Sequence, residues 1–124
     1  MRVTERWKGN KKPSLSFEIF PARTLKGMEN LVRVINELIT LEPDFFSVTF
    51  GAGGSTKEGS LDLLKKLRQE KDLDVIAYFA GYGLGPEEIV DVLDKNQETG
   101  VENILVVRGD PPQEEGFLPH PDSF

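Results

Sequence analysis

Leu15-Ser-Phe-Glu-Ile-Phe20 is the first of four short runs in this chain that are rich in β-branched and aromatic residues. Runs of this kind, bounded by polar or turn-forming residues, are typical of strands. The other three follow at intervals of about 30 residues: Asp44-Phe-Phe-Ser-Val-Thr-Phe50, Asp74-Val-Ile-Ala-Tyr-Phe79 and Asn103-Ile-Leu-Val-Val107. The even spacing predicts four strands separated by connections of similar length.

The connections carry the periodicity of amphipathic helices. The third is predicted to begin at Pro86 and to end at Gly100. Helices that alternate with strands in this way predict parallel strands joined by right-handed crossovers. The apolar stripes of the first two helices are Met28, Leu31, Val32, Ile35, Leu38 and Ile39, and then, between about Lys57 and Lys71, Leu61, Leu64 and Leu67.

Two architectures fit this alternation: an open, doubly wound flavodoxin-like sheet and a closed (β/α)8 barrel. A complete barrel needs about 250 residues. Four units in 124 residues are therefore either a small complete sheet or half of a barrel. The pattern alone leaves both open, with a slight preference for the open sheet.

The composition of the chain excludes some classes of binding partner. Hydrophobic residues make up 38% and charged residues 29% of the chain, which is typical of one soluble globular unit. The net charge of −6 argues against a nucleic-acid partner, because phosphate binding needs clustered Lys and Arg. No apolar run approaches the ~20 residues of a membrane helix, so no membrane partner is expected either.

The chain has no cysteine and one histidine, His120. This excludes a disulfide scaffold and thiolate chemistry, and no metal site is predicted. Residues 1–13 form a basic segment that is predicted to be a solvated, frayed tail. Because no apolar segment of a secretory signal follows it, a cytoplasmic location is expected.

Polar residues interrupt the strands in phase. Glu18, Thr49, Tyr78 and Arg108 recur about every 30 residues, so they are expected at similar levels near the carboxyl ends of the strands. In a barrel this set would point into the mouth, where such enzymes place their sites. Glu18 is the sharpest candidate, since a carboxylate in a strand is costly to bury unless it is paired or acts as an acid or base. The structural alternative is a salt bridge to Arg23 or Arg108.

Three further features of the sequence leave alternatives open. Asp110 follows Arg108 and Gly109 at the end of the fourth strand, where Pro111-Pro112 enforces an extended exit. The turn 51–56 is suited either to holding a phosphate or to capping a helix. The glycine-rich stretch 81–86 is either a lid or a plain connecting loop.

Four segments together resemble the methylenetetrahydrofolate reductase family. They are Ser16-Phe-Glu-Ile-Phe-Pro-Ala-Arg-Thr24, Phe46-Ser-Val-Thr-Phe-Gly-Ala-Gly-Gly54, Val107-Arg-Gly-Asp-Pro-Pro112 and Pro119-His-Pro-Asp122. The resemblance implies a (β/α)8 barrel of the TIM type, of which residues 14–124 supply about the first four βα units. It also implies FAD at the barrel mouth, a folate substrate, and NAD(P)H or another electron donor.

The resemblance also implies roles for individual residues. Glu18 matches the acidic residue that assists protonation of the folate and its opening to an iminium. Asp110 matches the carboxylate beside flavin and folate. The cofactor-binding positions are Thr49, Tyr78, Arg108, Gly109 and Asp110. The family's third strand commonly ends in a His-Leu-Thr-Cys-like segment where this chain has Tyr78-Phe-Ala-Gly81, so Tyr78 is expected to stack on the cofactor or bond to it.

Half of a barrel would expose strand edges, which favours pairing with a second copy or with the missing half. The sequence therefore predicts a homo-oligomer or a half-barrel pair, and this chain is interpreted as an incomplete part of a longer enzyme. The alternative hypothesis is a non-catalytic half-barrel that acts by self-association or by binding a partner subunit.

Overall fold

The computed structural model describes residues 2–8, 12–50, 57–111, 113 and 115–123. Strands and helices alternate along these residues. The strands are β1 (Ser16–Ile19), β2 (Phe45–Val48), β3 (Val75–Ala80) and β4 (Asn103–Val107). The helices are α1 (Val3–Trp7), α2 (Leu25–Ile39), α3 (Lys57–Lys65, continued by a π-helical segment Lys66–Glu70) and α4 (Pro86–Glu98). All four predicted strands and the three connecting helices are present.

The strands form one parallel sheet in the order β1-β2-β3-β4, so each strand lies beside its neighbours in sequence. A doubly wound sheet reverses its strand order at a switch point, and the described strands show no reversal. Residues of both α2 and α3 pack in one core against the same strands, as expected when right-handed crossovers put helices on one face of the sheet in a (β/α)8 barrel. The α/β fold with barrel-type order is confirmed, and the slight preference for an open sheet was wrong.

The connecting helices begin and end where their capping residues dictate. At the start of α2, the side chain of Thr24 accepts from an amide of the first turn at 3.0 Å, which satisfies a donor without a partner inside the helix. α4 begins at Pro86, and Glu88 Oε2 accepts from the Gly85 amide at 2.8 Å. Gly100 follows α4 with a φ of 83°, the left-handed conformation that ends helices.

The core lies between the sheet and helices α2 and α3. Ile35 of α2 and Leu67 after α3 are fully buried against Phe46 and Ala77 of the sheet. The predicted apolar stripes supply most of the helical side of this core. Leu63 also joins it, although a stripe counted from Leu61 in helical steps passes it by. The remaining buried members are Ile19, Val48, Leu64, Val75 and Val101.

The sheet face opposite α2 and α3, called the inner face, carries Glu18, Ser47, Tyr78 and Leu105. The alternation of side chains along each strand and the register between strands put these residues on one side. The inner face corresponds to the interior of a barrel. It is open at the carboxyl ends of the strands and partly covered by α1 at their amino ends.

α1 packs across the amino ends of the strands. Val3 is 2% exposed, and its amide donates to Asn103 Oδ1 at 2.8 Å. The Trp7 ring lies 6.3 Å from that of Phe45 in an edge-to-face arrangement. The expected frayed terminus was therefore wrong for Val3–Trp7, because this short helix has a surface on which to dock. The boundary after residue 13 stays a prediction.

A cleft of about 330 Å³ lies between α1 and the amino-terminal part of the sheet. The cleft is lined by Arg2, Val3, Thr4, Trp7, Ile76, Glu102, Asn103, Ile104 and Leu105.

No helix in the described part of the chain combines the length and apolar character needed to cross a bilayer.

β4 is the most exposed of the four described strands. Val106 is 70% exposed, and Ile104 and Leu105 are also accessible, so β4 has apolar surface on both faces. Val90 of α4 is exposed as well. Apolar surface therefore collects at the β4 side of the sheet, as half of a barrel would present it.

Candidate active site

Glu18 and Tyr78 meet on the inner face. The Tyr78 hydroxyl donates to Glu18 Oε2 at 2.5 Å, across the intervening strand β2. In the register of the sheet, Glu18 lies beside Ser47 and Ser47 lies beside Ile76. Tyr78 is therefore further along its strand than Glu18, and its ring reaches back over β2 to the carboxylate.

This contact changes the titration of the tyrosine. The hydrogen bond to Glu18, followed by burial and the charge of the same carboxylate, raises the pKa of Tyr78 above its usual value. The neighbouring Ser47 hydroxyl opposes this rise in the pKa. Ser47 was not among the predicted site residues, although it has the same polar, strand-interrupting character as Glu18. The structure thus adds Ser47 to the pair.

The Glu18 side chain does not make the salt bridge that was the alternative prediction. Within the described residues, no ion pair joins Glu18 to Arg23 or Arg108, and its hydrogen-bond partner is Tyr78. Glu18 is exposed on the inner face rather than buried. A neutral donor on one oxygen and an exposed position leave this carboxylate accessible to a ligand.

Thr49 is 8% exposed and links the ends of two strands to α3. Its amide donates to the Ile19 carbonyl at 3.0 Å, and its hydroxyl lies 3.5 Å from the same oxygen. The Thr49 carbonyl accepts from Ser60 Oγ at 3.1 Å. The hydroxyl bond is long enough to be weak. The predicted contact of Thr49 with a cofactor stays a prediction.

Arg108, Gly109 and Asp110 follow the end of β4. The Arg108 guanidinium lies 5.7 Å from the centre of the Tyr82 ring, within the range of a cation–π contact. Gly109 has a φ of 82°, and a side chain there would lie 2.9 Å from Ala80 Cβ. Asp110 is exposed. The glycine thus lets the chain turn tightly between a basic residue and an exposed carboxylate.

The four polar residues recur every ~30 positions, and this spacing predicted that they stand at one level in the sheet. In the structure they stand at different levels. The register places Glu18 beside Ser47, not beside Thr49, and Arg108 lies beyond the last residue of β4. Spacing along the chain measures the length of each unit, whereas level in the sheet depends on hydrogen-bond register. The structure brings together Glu18 and Tyr78, while Thr49 and Arg108 contact other groups.

Backbone hydrogen bonds join the loop between β3 and α4 to two other segments of the chain. The Tyr82 amide donates to the Arg108 carbonyl at 2.7 Å, and the His120 amide donates to the Gly83 carbonyl at 3.0 Å. The Phe117 ring lies 6.3 Å from that of Tyr82. The segment that contains His120 therefore folds back over this loop. Of the two alternatives left open by the sequence, these bonds favour a connecting loop held in place.

Two sequence features fall partly or wholly outside the described residues. The turn 51–56 is one, so its alternatives, a phosphate site and a helix cap, stay predictions. The second is the Pro111-Pro112 exit, of which only Pro111 is described.

The inner face carries apolar and polar side chains of the kinds that line sites for flat aromatic cofactors. On this face Leu105 and Val107 are 42% and 37% exposed, and Glu18 is an exposed carboxylate. Apolar surface with a few polar groups at its edge is the usual lining of such sites. These residues therefore fit FAD, the cofactor implied by the resemblance. Among the described residues, no group of three or more His, Asp or Glu side chains is arranged to hold a metal ion.

Comparison with known proteins agrees with this geometry. The family model described as methylenetetrahydrofolate reductase matches residues 2–124. Methylenetetrahydrofolate reductase (NADH) 1 of Zea mays is 31% identical over 104 residues, which are 84% of this chain and 18% of that protein. Methylenetetrahydrofolate reductase 2 of Schizosaccharomyces pombe is 39% identical over 98 residues, 78% of this chain and 15% of that protein.

A bacterial relative also matches most of this chain over a small part of its own length. The 5,10-methylenetetrahydrofolate reductase of Escherichia coli is 28% identical over 103 residues, which cover 83% of this chain and 35% of that protein. This chain therefore spans only about a sixth to a third of the length of these three relatives.

Proposed function

The chain belongs to the methylenetetrahydrofolate reductase family, and from that premise we propose that it forms part of a flavin-dependent enzyme that reduces 5,10-methylenetetrahydrofolate to 5-methyltetrahydrofolate. It would supply about the first four βα units of the barrel, after the segment 1–13. A cytoplasmic location is part of the same proposal.

The observation that carries the proposal is the Glu18 carboxylate, which is exposed on the inner face and held by Tyr78 at 2.5 Å. A carboxyl group in this position is available as a general acid to a ligand in the barrel mouth. We assign to Glu18 the delivery of a proton to a nitrogen of the folate, which opens the substrate to the iminium that accepts hydride.

Asp110 and its neighbours would bind and orient. Asp110 is exposed at the end of β4, where its negative charge can accept hydrogen bonds from the flavin and the pterin. Gly109 permits close approach of the backbone, and Arg108, Thr49 and Tyr78 complete the proposed cofactor contacts. The chemistry that FAD supplies when bound is hydride transfer, after its reduction by NAD(P)H or another donor.

A flavin absorbance titration of the purified chain tests the proposal. We expect a saturable change in the FAD spectrum, with affinity at least about tenfold weaker in Asp110→Asn because a charged hydrogen-bond partner is lost. Asp94→Asn is the matched control, since Asp94 is an exposed carboxylate on α4. An unchanged FAD spectrum at saturating protein would contradict the proposal for this chain.

A second candidate function is association without catalysis. The exposed apolar residues of β4, with Val106 70% exposed, support pairing with a second copy or with a partner half-barrel. Size-exclusion chromatography of the same sample separates the two. A dimer that leaves the FAD spectrum unchanged would favour the non-catalytic half-barrel, whereas flavin binding would favour the enzyme.

A further inference from the structure

We infer that Tyr78 is a positioning residue for Glu18, holding one carboxylate oxygen so that the other is presented to the substrate. The inference rests on the proposed role of Glu18 as the acid. It differs from the cofactor contact expected from sequence, because the Tyr78 hydroxyl already donates to Glu18 Oε2. Within the described residues, Glu18 Oε1 has no hydrogen-bond partner.

The sheet geometry explains why a tyrosine suits this task. Neighbouring strands lie about 4.8 Å apart, so a donor on β3 must cross β2 to reach a carboxylate on β1. Tyrosine spans this distance with a rigid ring and few rotatable bonds. Ser47 lies beside Glu18 in the register, on the strand that the ring crosses. The phenol is therefore held by the carboxylate two strands away.

The contact also has a consequence for proton transfer. When Glu18 gives its proton from Oε1 to a substrate nitrogen, the O–H bond of Glu18 breaks, an N–H bond forms and negative charge develops on the carboxylate. Tyr78 keeps its own proton throughout. Hydrogen bonds to ionised acceptors are roughly twice as strong as neutral ones, so the Tyr78 bond strengthens as the proton leaves. An interaction that strengthens in the transition state acts on kcat more than on KM.

The first test is a tyrosinate titration followed by ultraviolet absorbance. The chain has two tyrosines, and Tyr82→Phe leaves Tyr78 as the only one. We expect its midpoint above the usual value of about 10 and a fall toward that value in the additional variant Glu18→Gln. Glu29→Gln is the matched control on the exposed surface of α2 and should leave the midpoint unchanged. A midpoint that Glu18→Gln does not move would overturn the inference.

The second test is kinetic and separates the inference from the proposed function. In folate reduction, Tyr78→Phe should lower kcat on the order of tenfold or more, with little change in KM, as expected for loss of one charge-assisted hydrogen bond. An unaltered kcat and pH profile would overturn the positioning role. If the complete barrel that contains this chain showed the coupled titration but no folate turnover, the proposed function would fail, and the catalytic purpose of the pair with it.

Discussion

Replacing Arg6 by alanine tests whether α1 is a docked part of the fold. Arg6 Nε and Nη2 both donate to Asp74 Oδ2, at 3.1 and 2.7 Å, and Nη1 lies 3.7 Å from Asp44 Oδ1. The Asp74 side chain is 11% exposed and that of Arg6 is 35% exposed. Hydrogen bonds to charged groups contribute roughly 1.5–3 kcal/mol, and exposed ion pairs less than about 1 kcal/mol. For this intermediate case we expect a loss of about 1–2 kcal/mol in the free energy of unfolding.

The effect of Arg6→Ala should depend on pH in a defined direction. Burial acts to raise the pKa of Asp74, but the hydrogen bonds and positive charges around it, Arg6 among them, outweigh burial and hold the pKa below its usual value of 3.8. A group whose pKa is lowered by folding stabilises the protein above its unfolded-state pKa, and this contribution is lost as the pH falls through the folded-state pKa. The difference between the two proteins should therefore be full at neutral pH and narrow below about pH 3.8.

Urea unfolding followed by tryptophan fluorescence measures this loss directly. Trp7 is the single tryptophan, and it lies within α1. Arg33→Ala is the matched control, because Arg33 pairs with Glu37 at 2.9 Å with both side chains about two-thirds exposed. The control should lose less than about 0.5 kcal/mol. Equal losses in the two variants, or a Trp7 signal unaffected by Arg6→Ala, would refute the docking of α1 by this ion pair.

Three other substitutions probe the helices and the loop by the same urea unfolding. Ile35→Ala should cost about 2–5 kcal/mol, since Ile35 is fully buried; a smaller loss would contradict the placement of the core. Thr24→Ala should cost about 1 kcal/mol through loss of the α2 cap, and no loss would argue against that cap. Gly83→Ala would put Cβ 2.5 Å from Phe117 Cζ at a φ of 75°, so it should destabilise more than Gly116→Ala, which has a similar φ but no atom within 4 Å. Equal effects would show that the clash is absent.

The strands and connecting helices were predictable because their signals are local. A run of β-branched and aromatic residues, an apolar stripe, Pro86 at a helix start and Gly100 after a helix end each act within a few residues. The strand order was not predictable from these signals, since open and closed sheets use the same βα units. α1 was missed for a related reason. A five-residue helix is unstable alone, and its stability depends on contacts with distant residues such as Asn103.

The candidate site was predicted in part. Glu18 could be identified because a carboxylate within a strand needs an explanation, and Tyr78 because it interrupts a strand in phase. Their contact could not be predicted, since it depends on the register that sets Glu18 beside Ser47. The contact of Arg108 with Tyr82 was also hidden, because it depends on the path of the loop after β3. Interactions between strands are thus the part of the site that periodicity does not encode.

The amino and carboxyl ends of the strands are assigned different roles. This assignment decides which concave region of the protein is the candidate site. The cleft of about 330 Å³ is at the amino ends of the strands, where α1 docks through Val3 and the ion pair of Arg6 with Asp74. In (β/α)8 barrels residues at that end contribute to stability, whereas catalytic residues lie at the carboxyl ends. The exposed carboxylates Glu18 and Asp110 lie toward the carboxyl ends. The candidate site is therefore assigned from its carboxylates and its position at the carboxyl ends of the strands, not from the volume of the cleft. The amino-end cleft is interpreted as a feature of α1 docking.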